Sequence, residues 1–143
     1  EALRNNAIDR KNMGQLVFNN STKLKKLENI VHPMVQQTER EFIKQARKKK
    51  ASAVVLEIPL LFETGADKRC DVIFCVSAPK ATQRARVMKR KGMTEARYKA
   101  ILSHQMPDAE KYRRADYIIK TGISHTATQK QVRGIVDKIL VKK

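Results

Sequence analysis

The sequence predicts an α/β protein built on a parallel sheet. Two observations predict it. The runs VVL at 54–56 and VIFCV at 72–76 place apolar side chains at successive rather than alternate positions, as strands covered on both faces do. Segments with helical periodicity precede, separate and follow those runs, and strands alternating with helices form parallel sheets flanked by helices.

The elements follow in order. The stretch RKNMGQLVF carries Met13, Leu16 and Val17 at helical spacing. STKLKKLENIV continues with Leu24, Leu27, Ile30 and Val31 on one face, and Ser21 or Thr22 is the expected cap. His32-Pro33 predicts a break. Pro33 suits the first turn of a new helix, where its missing N–H needs no partner, and that helix is expected to run to about Lys50. SAVVLEI is the first expected strand, closed by Pro59, which cannot donate to a ladder. Val72 to Val76 is the second and DYIIKT the third. Helices are expected at Lys80–Lys91, Thr94–Gln105, Asp108–Arg114 and about Ser124–Val141. Ligands of such sheets lie beyond the carboxyl ends of the strands, which here means Glu57, Pro59 and the Ser77-Ala78 region.

Composition narrows the function classes. The 143 residues suit one domain, or one domain with an appendage. The sequence holds no apolar run of the ~20 residues that a membrane helix needs. The polar start EALRNNAIDR predicts no signal peptide, and an opening Glu suggests a chain that begins inside a longer protein or is processed. Cys70 and Cys75 are the only cysteines; core packing is the expectation for Cys75, and a reduced cytoplasmic protein the expectation for the pair. The net charge of +17 admits nucleic acid, phosphorylated ligands or a solvated basic surface. The densest basic segment is Lys80–Lys99, with eight basic residues and one acid, so the charge does not sit on a tail.

Several constellations carry chemistry. On a helix, Arg86 and Arg90 lie four apart and share a face. Two guanidiniums side by side suit a phosphate chain, gripped in charge-assisted pairs, or else form a solvated basic face. Glu57 at a strand end is either a metal-linked carboxylate or a helix cap. His32 beside Pro33 is a ligand group or a turn histidine, and Asp9-Arg10 a helix-start pair or a substrate clamp. The phosphate-cradling loop G-x-x-x-x-G-K-[ST] does not occur in the sequence: Gly14, Gly65, Gly92, Gly122 and Gly134 never take that spacing.

The segments IDRKNMGQLVF, LENIVHPMV, VVLEIPLLFETG, CDVIFCVSAPKATQRARVMKRKGMT, SHQMP and KYRRADYIIKTG occur in the order typical of dephospho-coenzyme A kinases. The chain resembles that family over nearly its whole length. The resemblance implies a three-layer, P-loop kinase-like core, here incomplete, with an inserted helical substrate domain and a helical lid. Residues 1–50 would form the helical domain that binds the coenzyme A precursor. Residues 51–143 would form the nucleotide-kinase core, with the lid at about 80–114. The implied reaction transfers the γ-phosphate of ATP to the ribose 3′-hydroxyl of dephospho-CoA, the last step of coenzyme A synthesis, with Mg²⁺.

By the same resemblance Arg86 and Arg90 would be catalytic lid arginines. Asp9, Arg10, His32, Pro33, Pro59, Leu60, Leu61, Glu63 and Gln105 would face the acceptor substrate. Gln83, Thr121 and Gly122 would contact the nucleotide, and Glu57 the metal. The family usually carries Asp at the position of Glu57 and Asn near Thr121. The P-loop portion is missing from this sequence, so the fragment alone is expected to be inactive. ATP and dephospho-CoA are the expected partners, with no nucleic acid and no membrane. The competing readings are a basic nucleic-acid-binding module, against which the few scattered aromatics argue, and a kinase of another nucleotide.

Overall fold

The computed structural model describes residues 3–4, 7–18 and 20–141. The chain divides into two compact units, Glu1–Leu56 and Glu57–Lys143.

The first unit opens with a hairpin that the sequence reading missed. β1 (Leu3–Arg4) pairs antiparallel with β2 (Ala7–Ile8). Strands this short carry no periodicity to read. α1 (Arg10–Phe18) follows, capped by Asp9, whose Oδ1 accepts the N–H groups of Lys11 at 2.9 Å and Asn12 at 3.2 Å. α1 packs on α2 (Ser21–Lys48).

α2 corrects two expectations. Its cap is Asn20, which accepts from Lys23 N at 2.9 Å, rather than Ser21 or Thr22. Pro33 lies inside the helix and does not end it. The helix crosses Pro33 by leaving the Asn29 carbonyl without its usual donor four residues on. Both ends of α2 are secured, which helps the helix run through this defect. At its C-terminus the N–H of Lys50 reaches Arg47 O at 3.0 Å and that of Ala51 reaches Ala46 O at 3.0 Å. This Schellman pairing places Lys50 in the left-handed region at φ 55°.

Residues 54–56 are not a strand, against expectation. They pair with nothing among the described residues, and Val55 is 80% exposed. Apolar, β-branched residues favour an extended backbone, but a strand also needs a neighbour to accept its hydrogen bonds.

The second unit begins with a short helical turn after Pro59. Thr64 N bonds Leu60 O at 3.0 Å. The turn closes with Gly65 N on Phe62 O at 3.2 Å and Ala66 N on Leu61 O at 2.9 Å. Gly65 takes φ 68° there, which only glycine adopts at little cost. A 3₁₀ turn (Ala66–Arg69) leads on to β3 (Phe74–Ser77). Then come α3 (Lys80–Met88), α4 (Glu95–Ser103) and α5 (Asp108–Arg114). β4 (Tyr117–Lys120) and α6 (His125–Val141) complete the unit.

β3 and β4 pair in parallel, in register from Phe74↔Tyr117 to Ser77↔Lys120. Among the described residues this is a two-stranded parallel pair, without the strand expected at SAVVLEI. Its start is fixed by Asp116, whose Oδ2 accepts Ile73 N at 2.8 Å, and by the stacked rings of Phe74 and Tyr117, 5.7 Å apart. α6 packs on β4 and α3 on α4. Among the described residues the core is Phe62, Ala66 and Ile119. Phe62 is therefore a packing residue. Arg114 lies over its ring at 4.6 Å and pairs with Asp67 at 2.7 Å.

Candidate functional site

The candidate site is the carboxyl edge of the β3–β4 pair. Both strands end there, and the chain leaves each toward a helix: Ser77, Ala78 and Pro79 into α3, and Thr121, Gly122 and Ile123 toward α6. The two exits touch. A Cβ added to Gly122 would lie 2.6 Å from Pro79 Cδ, so only glycine allows this approach. Thr121 ties the exits together, with its N–H donating to Ser77 O at 2.7 Å and its Oγ1 donating to the same oxygen at 3.0 Å.

Arg86 reaches this edge from α3. Its Nη1 donates to Thr121 Oγ1 at 3.1 Å and its Nη2 to Thr121 O at 2.9 Å. Gln83, one turn earlier, donates through Nε2 to Ala78 O at 2.8 Å and to Asp108 Oδ2 at 3.1 Å. Those bonds link β3, α3 and the first turn of α5. Arg90 departs from the expected arrangement. α3 ends at Met88, so Arg90 lies in the following turn rather than one helical turn above Arg86. Gly92, at φ 75°, lets the chain turn there. The Arg90 guanidinium is exposed and has no partner among the described residues.

The sequence reading missed a polar group beside this edge. Ser77 Oγ and Tyr112 OH are 2.8 Å apart, and Lys111 Nζ lies 4.0 Å from Asp108 Oδ1. The signal for it was Asp108 directly after Pro107, a helix start that puts a carboxylate at the α5 N-terminus. Burial pushes the Cys75 thiol above its ordinary value, with Lys111 partly opposing, so Cys75 stays a protonated packing residue.

The remaining expected site residues fall elsewhere. Glu63 is a brace: its Oε1 accepts Met106 N at 2.7 Å, joining the 59–64 turn to the segment before α5. Gln105 is half-buried, with its backbone N–H on Leu102 O at 3.1 Å. Pro59 and Leu60 are exposed and Leu61 is half-buried. In the first unit Asp9 is the α1 cap, Arg10 is exposed at the start of the helix, and His32 and Pro33 are exposed in mid-α2. Glu57 is exposed, and no group of three His, Cys, Asp or Glu side chains among the described residues could cage a metal ion. These residues alone do not make a Mg²⁺ site. None of the helices among the described residues is long and apolar enough to cross a membrane.

Parallel strands, glycine-permitted exits and an arginine fork at the carboxyl edge make this an α/β protein with a basic group at the strand ends. The sequence profile of dephospho-CoA kinases matches residues 3–126. A dephospho-CoA kinase of Bartonella quintana is 44% identical over 138 residues, covering 96% of this chain and 71% of that protein. One from Rhizobium meliloti is 46% identical over 132 residues, covering 92% and 68%. Among solved structures, a dephospho-CoA kinase from Campylobacter jejuni superimposes with a TM-score of 0.69 at 31% identity, covering 99% of this chain and 71% of that one. A crystal structure from Thermus thermophilus gives 0.75 at 32%, covering 96% and 70%. The chain belongs to the dephospho-CoA kinase family.

Proposed function

We propose that the protein transfers the γ-phosphate of ATP to the ribose 3′-hydroxyl of dephospho-CoA, giving CoA and ADP. The observation that carries this, beside family membership, is the Arg86 guanidinium lying at the carboxyl edge of the strands. In the reaction the hydroxyl oxygen bonds the γ-phosphorus, the bond from that phosphorus to the ADP oxygen breaks, and the hydroxyl proton leaves. Catalysis of such transfers is mainly positioning and charge neutralisation. Arg86 supplies a fixed positive charge at the edge. Arg90, on the turn after α3, supplies a second that swings with that turn and closes over the phosphates.

In this reading residues 80–114 act as the lid and residues 1–50 receive the acceptor nucleotide through Arg10 and His32. Leu60, Leu61 and Gln105 contact the acceptor, while Gln83 and Gly122 border the nucleotide. Mg²⁺ would neutralise phosphate charge when bound, and no step is assigned to Glu57. No nucleic acid and no membrane take part.

The test uses the protein as its gene encodes it. Arg90→Ala is expected to lower kcat by ~10²–10³ while the melting temperature stays put. A variant that only melts earlier, or one that turns over normally, would remove Arg90 from the reaction. Retained affinity for single-stranded nucleic acid with a steep salt dependence, beside no affinity for dephospho-CoA, would favour a nucleic-acid-binding protein instead.

A further inference from the structure

We infer that Thr121 is a positioning residue for Arg86. It holds the guanidinium on the carboxyl edge of β3–β4 and leaves the rest of the fork for an oligophosphate. This rests on the reading of Arg86 given above, and it moves Thr121 from ligand contact to support of another side chain.

Arg86 is exposed on the last turn of α3, where a long side chain normally samples many rotamers. Here both terminal nitrogens land on one residue, at 3.1 Å and 2.9 Å. That residue is itself fixed. Its hydroxyl proton is committed to Ser77 O, which leaves the oxygen lone pairs to accept from Arg86. Its N–H is committed to the same carbonyl at 2.7 Å. As a β-branched residue, threonine also has a stiff χ1. A continuous path of bonds therefore runs from the guanidinium through Thr121 to the end of β3.

The acceptors are neutral, and this separates Arg86 from its neighbours. Arg84 pairs with Glu95 at 2.6 Å, Arg113 with Glu110 at 2.7 Å and Arg114 with Asp67 at 2.7 Å. Arg86 has no carboxylate partner among the described residues, so its charge is oriented but not compensated. Its other N–H groups have no acceptor there either. An anion can take those groups without displacing Thr121, and binding then costs less ordering of the side chain.

Calorimetric titration with inorganic tripolyphosphate tests this on the unsubstituted protein and four variants at one ionic strength. Arg86→Ala is expected to abolish binding or nearly so. Thr121→Val keeps the shape but loses the hydroxyl, and is expected to weaken binding by about threefold to tenfold. Thr121→Ser restores it. In the double variant Arg86→Ala/Thr121→Val, the threonine change has no further effect, because it acts only through the arginine.

Each other outcome overturns something definite. Unaltered binding by Arg86→Ala, or none by the unsubstituted protein, removes the anion reading of Arg86 and this inference with it. Loss in Arg86→Ala beside an unchanged Thr121→Val removes the inference alone. So does an equal loss from Thr121→Val with and without Arg86, which would mark a structural role. If Thr121→Val does not fold, NMR of the unsubstituted protein still decides: separate Nη1 and Nη2 signals for Arg86 are expected, and a single averaged set refutes the fork.

Discussion

At the scale of single residues, two backbone positions carry predictions of opposite sign. Gly122 faces Pro79 with room for no Cβ. Gly122→Ala should destabilise the protein by about 1–3 kcal/mol through overpacking at the edge. Denaturant midpoints check this, and the loss should shrink when Pro79→Ala is added. Lys50 holds φ 55° without being glycine. Lys50→Gly should raise stability by about 1 kcal/mol, since the left-handed penalty of a side chain disappears; an unchanged or lower midpoint would count against that strain. Sequence spacing singled out Arg86 only as one of a pair with Arg90, open equally to a solvated basic face, and the structure separates the two, since α3 ends at Met88. The bonds that hold Arg86 were not legible, since Thr121 meets Arg86 across 35 residues and Ser77 across 44. Asp9 was legible as a helix start, but it caps the backbone of α1 through Lys11 N and Asn12 N instead of forming the expected pair with Arg10. Asp116 gave no local signal, because it acts only once β3 and β4 are in register.

At the scale of elements, α3 and α4 are joined by Arg84 and Glu95, 2.6 Å apart and well exposed. The hydrogen bond from Arg84 holds the Glu95 carboxyl below its ordinary value and lifts the guanidinium above its own. Because the folded Glu95 value is depressed, any stabilisation from the pair is complete above the ordinary carboxylate range. It fades as pH falls through the lower folded value. An NMR titration of the Glu95 carboxyl should therefore show a midpoint below that of a free glutamate, moving up in Arg84→Ala and in high salt. A midpoint insensitive to both would mean that the pair does not persist in solution. Helices were mostly readable, since α4, α5 and α6 fall within a residue or two of their expected spans. Composition misled where an element depends on partners. Residues 54–56 are strand formers without a strand partner among the described residues, and Pro33 was overruled by a helix secured at both ends.

At the scale of the whole molecule, a net charge of +17 on 143 residues opposes compaction through self-repulsion. Few acids offset it locally, as the pairs of Arg84, Arg113 and Arg114 do. Raising salt from about 20 to 200 mM, where screening acts within ~10 Å, should raise the melting temperature by a few degrees. A fall would show that attractive pairs outweigh the repulsion. The α/β class was legible because β3 and β4 alternate with helices. The extent of the sheet was not, since periodicity says nothing about how many neighbours a strand finds. That extent has a consequence for handling the protein. Among the described residues β3 and β4 pair only with each other, and Val76 on β3 stands 65% exposed. A strand flank without a partner templates the addition of foreign backbone, so concentrated stocks of these 143 residues should self-associate through it, and Val76→Lys should keep them clear.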